Sequence, residues 1–213
     1  MSRLLTVGAA QLGPIARNDT RKAVVARLLE LMRHAHSMAC HVIVYPELAL
    51  TSFFPRWWME DQEEIDSFFE HEMPSHDTLP LFEEARRCRM GFYLGFAERM
   101  IENQQVRHYN ASIIVDRDGR ILGKYRKVHL PGHADHRPHY PFRHLEKRYF
   151  DVGNLGFGAW RGLGGVVGMC ICNDRRWPET CRVLGLSRTD NAWVQHSQPR
   201  TVDACVRPSD RLP

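Results

Sequence analysis

The segment Met169-Cys170-Ile171-Cys172-Asn173-Asp174-Arg175-Arg176-Trp177-Pro178-Glu179 brings a thiol and two guanidinium groups to the end of an apolar run. A cysteine at a strand-to-helix turn meets the backbone N–H groups of the helix start, which lower a thiol pKa and raise its nucleophilicity. Arg175 and Arg176 beside it offer a bidentate fork for a carboxylate or phosphate. Arginine at a helix start opposes the macrodipole, so a bound anion accounts for the pair better than solvated surface charge does. A nucleophile next to an anion clamp points to an enzyme acting on a small acidic substrate.

Glu47 and Lys127 are the other groups placed for such chemistry. Amide hydrolysis by a thiol needs a base that takes and returns a proton, and a positive group for the oxyanion. A carboxylate desolvated at a strand end gains affinity for protons, while a nearby lysine keeps it partly ionised. Taken singly, each residue more often has a structural role: inert buried thiol, capping glutamate, surface lysine.

The elements that must position these groups alternate strand and helix. Leu4 to Ala10 reads as a buried strand, and Asp19-Thr20 caps a helix whose apolar positions run from Val24 to Met32 at helical spacing. His41 to Pro46 is a β-branched strand stopped by proline, with Glu47 at its carboxyl end. Leu79 to Cys88 is helical and Gly91 to Glu98 is a strand. Ala111 to Val115 and Ile121 to Lys127 are strands joined by Asp116-Arg117-Asp118-Gly119, whose Asp-Gly marks a hairpin. Gly165 to Ile171 is a strand and Pro178 to Leu184 begins a helix. The order predicts an α/β fold with mixed sheets, in which sites gather at the carboxyl ends of strands. Glu47, Lys127 and Cys172 all sit at such ends.

Composition narrows the function classes. The chain has 213 residues, 43% of them hydrophobic and 25% charged. It is long enough for one substantial domain, and no apolar run reaches the roughly 18 residues a membrane span needs. The 29 basic and 25 acidic residues are interspersed, which argues against nucleic acid despite a net charge of +4. Of the six cysteines only Cys170 and Cys172 are close in sequence, and strand alternation places them on one face. Free thiols and the lack of a signal-like leader point to the cytoplasm. His129, His133, His136, His139 and His144 crowd one loop, but Arg126 and Lys127 would repel a cation there, so no metal and no cofactor is expected. Phe53, Phe54, Trp57 and Trp58 are expected in the core and in subunit packing.

The contexts Tyr45-Pro46-Glu47-Leu48, Gly123-Lys124-Tyr125-Arg126-Lys127-Val128-His129-Leu130 and Cys172 to Glu179 resemble, in order and spacing, the signatures of the nitrilase superfamily of carbon–nitrogen hydrolases. The resemblance implies an α-β-β-α sandwich and a Glu-Lys-Cys triad: Glu47 as general base, Lys127 as oxyanion stabiliser, Cys172 as nucleophile. Phe53-Phe54-Pro55-Arg56-Trp57 and His144-Leu145-Glu146-Lys147-Arg148-Tyr149-Phe150 are similar, more narrowly, to the N-carbamoyl-D-amino acid hydrolases. That likeness implies Arg175 and Arg176 on the substrate carboxylate, a second glutamate at Glu146, and substrate contacts from Asn173, His129 and His144. The implied reaction releases a D-amino acid, carbon dioxide and ammonia, without cofactor, nucleic acid or membrane, from a homo-oligomer if the chain is complete. A β-ureidopropionase-like or aliphatic amidase activity is the alternative within the superfamily, and an inactive truncated product the alternative outside it.

From Ser187 to Pro213 periodicity is lost, and a disordered tail is expected after a hydrolase domain ending near Leu186. The resembled family continues through a Gly-Tyr-Asn-Thr-Pro-like segment. Here Trp193-Val194-Gln195-His196-Ser197 stands instead, and its codons read one base over can spell that segment. An out-of-frame tail is therefore expected.

Overall fold

The computed structural model describes residues 4–140, 143–187, 189–195 and 205–206, with backbone alone for 191–195 and 205–206. The first sheet has the order β1-β2-β3-β4-β5, from β1 (Val7–Ala9), β2 (Val42–Val44), β3 (Gly91–Glu102), β4 (Gln105–Val115) and β5 (Ile121–Arg126). β1, β2 and β3 are parallel, while β4 and β5 add antiparallel. Helix α1 (Arg21–Ser37) crosses from β1 to β2, and α2 (Gln62–Asp66) and α3 (Leu79–Cys88) lie between β2 and β3. After the short helix α4 (Glu146–Tyr149), a second sheet has the order β6-β7-β8-β9, from β6 (Ala159–Gly162), β7 (Gly165–Ile171), β8 (Asn191–Gln195) and β9 (Cys205–Val206). Helix α5 (Pro178–Leu186) joins β7 to β8, which run parallel.

Side-chain alternation explains the layering. Ile43, Phe92, Leu94, Phe96, Ile113 and Val115 point to one face and pack with Val24, Leu28 and Met32 of α1 and Leu81, Phe82 and Ala85 of α3. Val42, Val44, Tyr93 and Ile114 point to the other and meet Val167, Met169 and Ile171 of β7. On the outer face of β7, a Cβ on Gly168 would lie 2.7 Å from the Leu184 side chain of α5, so glycine lets that helix settle close. The layers are α-β-β-α, as the motif resemblance implied.

Several local expectations hold and others change. Thr20 caps α1, its Oγ1 accepting from the Ala23 N–H at 3.2 Å, whereas Asp19 Oδ2 accepts from the Ala16 N–H. The Asp116–Gly119 turn forms, with Gly119 at φ +70°. β1 is an edge strand with Val7 40% exposed, not the buried strand its apolar residues imply. The β3–β4 hairpin runs to Glu102 and Gln105 because Asn103 and Gln104 take φ +50° and +63°, a tight turn without glycine. Cys170 and Cys172 do not share a face, because the strand ends at Ile171 and Cys172 turns at φ +44°. The expectation of disorder from Ser187 is corrected at Asn191–Gln195, which pair with Val167–Ile171 of β7. The rest of that expectation, over 196–204 and 207–213, lies outside the described residues. Among the described residues no helix is long and apolar enough to cross a membrane.

Candidate active site

Three chain segments deliver the central charges. The backbone leaves β2 through Tyr45 and Pro46, with the Tyr45 N–H bonded to Tyr93 O and Leu48 at φ +50°, and this turn puts Glu47 inside. Lys127 follows β5; its N–H donates to Asn110 O at 2.8 Å, and its own carbonyl accepts from Gly153 N–H at 2.9 Å. Glu146 opens α4, where the preceding Leu145 N–H donates to Pro55 O.

These side chains meet in a fully buried cluster. Lys127 Nζ donates to Glu47 Oε1 at 2.6 Å and to Glu146 Oε2 and Oε1 at 2.7 and 2.9 Å, all three side chains having no exposed surface. Asn110 Nδ2 donates to Glu47 Oε1 at 2.8 Å and more weakly to Glu146 Oε2 at 3.3 Å. Glu47 Oε2 is buried and has no hydrogen-bond partner among the described residues. The two carboxylates therefore differ. Burial pushes Glu47 up, Lys127 opposes that, and Glu146 adds to it, with a net rise in proton affinity. Burial acts on Glu146 too, but Lys127 and the hydrogen bond from His144, 2.8 Å away, hold it below its ordinary value. Burial alone would lower Lys127, yet Glu47 and Glu146 keep it firmly protonated.

Cys172 sits at the turn out of β7, first in a 3-10 turn over Cys172–Arg176. Burial and then the charges of Glu47 and Glu146 push its thiol up to about 12, against the pull of Lys127 and Arg175. This corrects the expectation of a thiol activated by helix-start N–H groups: the group is a protonated thiol at rest, and it needs a base. The Cys172 turn is held by Asp174, a buried residue whose Oδ2 accepts from the Ile171 N–H at 2.9 Å and from Tyr125 Oη at 2.8 Å. Asp174 Oδ1 accepts from the His129 N–H and faces His129 Nδ1, both at 2.9 Å.

The other residues singled out from sequence surround this core. His129 is stacked between Trp177 and Phe157, with ring centroids 4.9 and 6.0 Å away. Asn173 Nδ2 donates to His129 O at 3.0 Å. His144 bridges from Glu146 to the edge of Phe53. Arg175 is half-buried and donates to Cys172 O at 3.0 Å, while Arg176 is exposed. Consecutive residues of a 3-10 turn diverge by a third of a turn, so the two guanidinium groups leave the turn in different directions. His133 and His136 turn instead to Asp135 O and the Trp58 ring. Phe54 is wholly buried against Phe68, Phe69, Tyr149 and Phe150, whereas Phe53, Trp57 and Trp58 are partly exposed.

Sequence reasoning missed Asn110, Asp174 and Tyr125. Asn110 and Ser112 are polar positions two apart in the otherwise apolar stretch Tyr109 to Val115 of β4, a detectable signal. Asp174 stood inside the cysteine motif and was passed over for the arginines beside it.

The family profile for carbon–nitrogen hydrolases matches residues 6–198. An N-carbamoylputrescine amidase from Solanum lycopersicum is 29% identical over 187 residues, covering 87% of this chain and 56% of that protein. A citrullinase from Francisella tularensis is 26% identical over 169 residues, 79% of this chain and 54% of that protein. The chain thus spans about half the length of the curated relatives it matches. Among solved structures, a carbon–nitrogen hydrolase from Helicobacter pylori superposes with a TM-score of 0.73 at 22% identity, covering 90% of this chain and 60% of that one, a likeness of fold.

Proposed function

The chain belongs to the carbon–nitrogen hydrolase family, and on that premise we propose that it cleaves the carbamoyl C–N bond of an N-carbamoyl amino acid, of the D series. One observation carries the chemistry: a fully buried Lys127 is clamped by two carboxylates, and Glu47 keeps a buried oxygen, Oε2, without a partner.

In this reading Glu47 Oε2 takes the Cys172 proton as the sulfur attacks the carbamoyl carbon. The Lys127 ammonium and the Asn173 backbone N–H hold the oxyanion. Collapse breaks the C–N bond, and the protonated Glu47 returns its proton to the departing amino group. Glu47 then draws a proton from water, which attacks the S-carbamoyl group; the thiol is regenerated and carbamate decomposes to carbon dioxide and ammonia. Glu146 stays ionised throughout and balances Lys127.

The tail of the substrate is read from charge. The acids at the centre, Glu47, Glu146 and Asp174, are committed to Lys127, His129 and the Cys172 turn, while the half-buried Arg175 guanidinium lies against the Cys172 carbonyl. A guanidinium beside the Cys172 turn favours a carboxylate over the free ammonium of N-carbamoylputrescine, the substrate named for a relative. Cys40, Cys88 and Cys172 stand as thiols, which suits a cytoplasmic setting. The exposed Trp177, Val183 and Leu186 on and before α5 suit assembly with a second copy.

The test is ammonia release from N-carbamoyl-D-amino acids, their L enantiomers, N-carbamoylputrescine, citrulline, β-ureidopropionate and a simple aliphatic amide, with Cys172→Ala as control. The D compounds are expected to turn over fastest. Preference for the putrescine compound would overturn the anionic tail, equal D and L rates the stereochemistry, and full activity in Cys172→Ala the mechanism.

A further inference from the structure

Asn110 bonds both glutamates of the site through its side chain and the Lys127 backbone through its carbonyl. It is 1% exposed and sits mid-strand in β4, opposite Ala97 of β3. Its Nδ2 lies 2.8 Å from Glu47 Oε1 and 3.3 Å from Glu146 Oε2. Its main-chain carbonyl takes the Lys127 N–H at 2.8 Å. Its own Oδ1 is buried without a hydrogen-bond partner among the described residues. The opposite amide orientation would set Oδ1 against two carboxylate oxygens, so the orientation is fixed by repulsion.

We propose that Asn110 is a positioning residue that divides labour between the two glutamates, saturating Oε1 of Glu47 so that Oε2 alone is left to exchange the proton of Cys172. With Lys127 and Asn110 both on Oε1, the carboxyl of Glu47 cannot turn that oxygen to the thiol. The shorter bond to Glu47 also favours its ionised form, so Asn110 restrains the rise that burial imposes and keeps the base usable near neutral pH. Glu146, reached at the longer distance and bonded by His144, remains the fixed counter-ion. This inference rests on the hydrolase reading for its meaning in turnover, but its physical content can be measured without turnover.

The experiment compares the full chain with Asn110→Ser and Asn110→Asp, each checked for a cooperative thermal transition. The first readout is the pH dependence of ammonia release; the second is the pH dependence of Cys172 alkylation by iodoacetamide. Loss of one charge-assisted hydrogen bond is expected to move the acid limb of both profiles up by about one pH unit in Asn110→Ser. The third carboxylate of Asn110→Asp is expected to move it further. kcat should fall about tenfold with KM within twofold of the parent. Acid limbs that stay within 0.3 pH unit, roughly 0.4 kcal/mol of proton affinity, in a folded variant overturn the proposal, even where stability is lost. Should Asn110→Asp fail to fold, Asn110→Ser decides. If the parent chain releases no ammonia from any substrate the hydrolase reading fails, while the alkylation profiles still judge Asn110.

Discussion

Removing the lysine from the centre of the site tests the electrostatics most directly. Lys127→Met keeps the length and apolar stem of the side chain but deletes the ammonium. In the parent, that ammonium is within 2.6–2.9 Å of Glu47 and Glu146, and none of the three side chains is exposed. The variant strands two carboxylates that have no exposed surface. Breaking a buried pair from one side costs about 3–5 kcal/mol, a large share of the roughly 5–15 kcal/mol that holds a domain together. The loss must also depend on pH, with a definite sign. Without Lys127 both carboxyls have folded pKa values above their unfolded value of about 4.3. Groups raised in this way stabilise fully below the unfolded pKa and lose that contribution as pH rises through the folded pKa. The variant's deficit against the parent should therefore be largest near pH 8 and shrink toward pH 5, by about 1.4 kcal/mol per pH unit for each extra proton bound. Adding Glu146→Gln removes one stranded charge and should recover part of the loss. Urea unfolding of parent, single and double variants at pH 5 and pH 8 gives all the quantities. A deficit equal at both pH values within 0.5 kcal/mol, about a third of one proton's contribution per pH unit, would refute the reasoning.

Two further outcomes follow from named contacts. Asp174→Asn presents an N–H where the carboxylate accepted from Ile171, Tyr125 or His129, so the Cys172 turn at φ +44° loses its hold. Thermal unfolding should show a loss of about 2–3 kcal/mol, and steady-state kinetics a fall in kcat of at least about tenfold; unchanged kcat would show that the turn holds itself. Gly153→Ala would place a Cβ 2.1 Å from Arg126 O and 2.9 Å from Lys127 O, forcing apart the backbone that carries Lys127. A loss of about 1–3 kcal/mol together with lower kcat is expected, and a variant as stable and active as the parent would contradict the close approach.

The parts of this fold that were readable in sequence are those governed by local physics. The helix after Thr20 has a cap and a strict apolar stripe, and β2 and β7 are short β-branched runs with abrupt ends. Glu47, Lys127 and Cys172 were readable as site candidates because each stands at the end of such an element, in distinctive surroundings. What stayed hidden depends on partners far along the chain. The length of β3 and β4 is set by a glycine-free turn at Asn103-Gln104 that has no strong compositional mark. The thiol's high pKa comes from burial and from acids 125 and 26 positions away, so the local helix-start argument gave the opposite sign. Asn110 and Asp174 act through side chains that cross between elements, which no window along the sequence displays.

The Glu47–Lys127–Glu146 cluster also acts on strand alignment. Arg126 and Lys127 are neighbours at the end of β5 that serve different sets of acids: Arg126 reaches Glu98 and Glu102 along β3, and Lys127 reaches the interior. A slip of β5 against β4 by one residue would exchange the faces of these two cations. The compact ammonium would then leave two dry carboxylates without a partner, and the larger guanidinium would be driven toward a space built for a smaller group. Misaligned pairings of the hairpin are thereby penalised by several kcal/mol before any substrate is involved. The buried charges thus act as a proofreading device for the sheet that carries them.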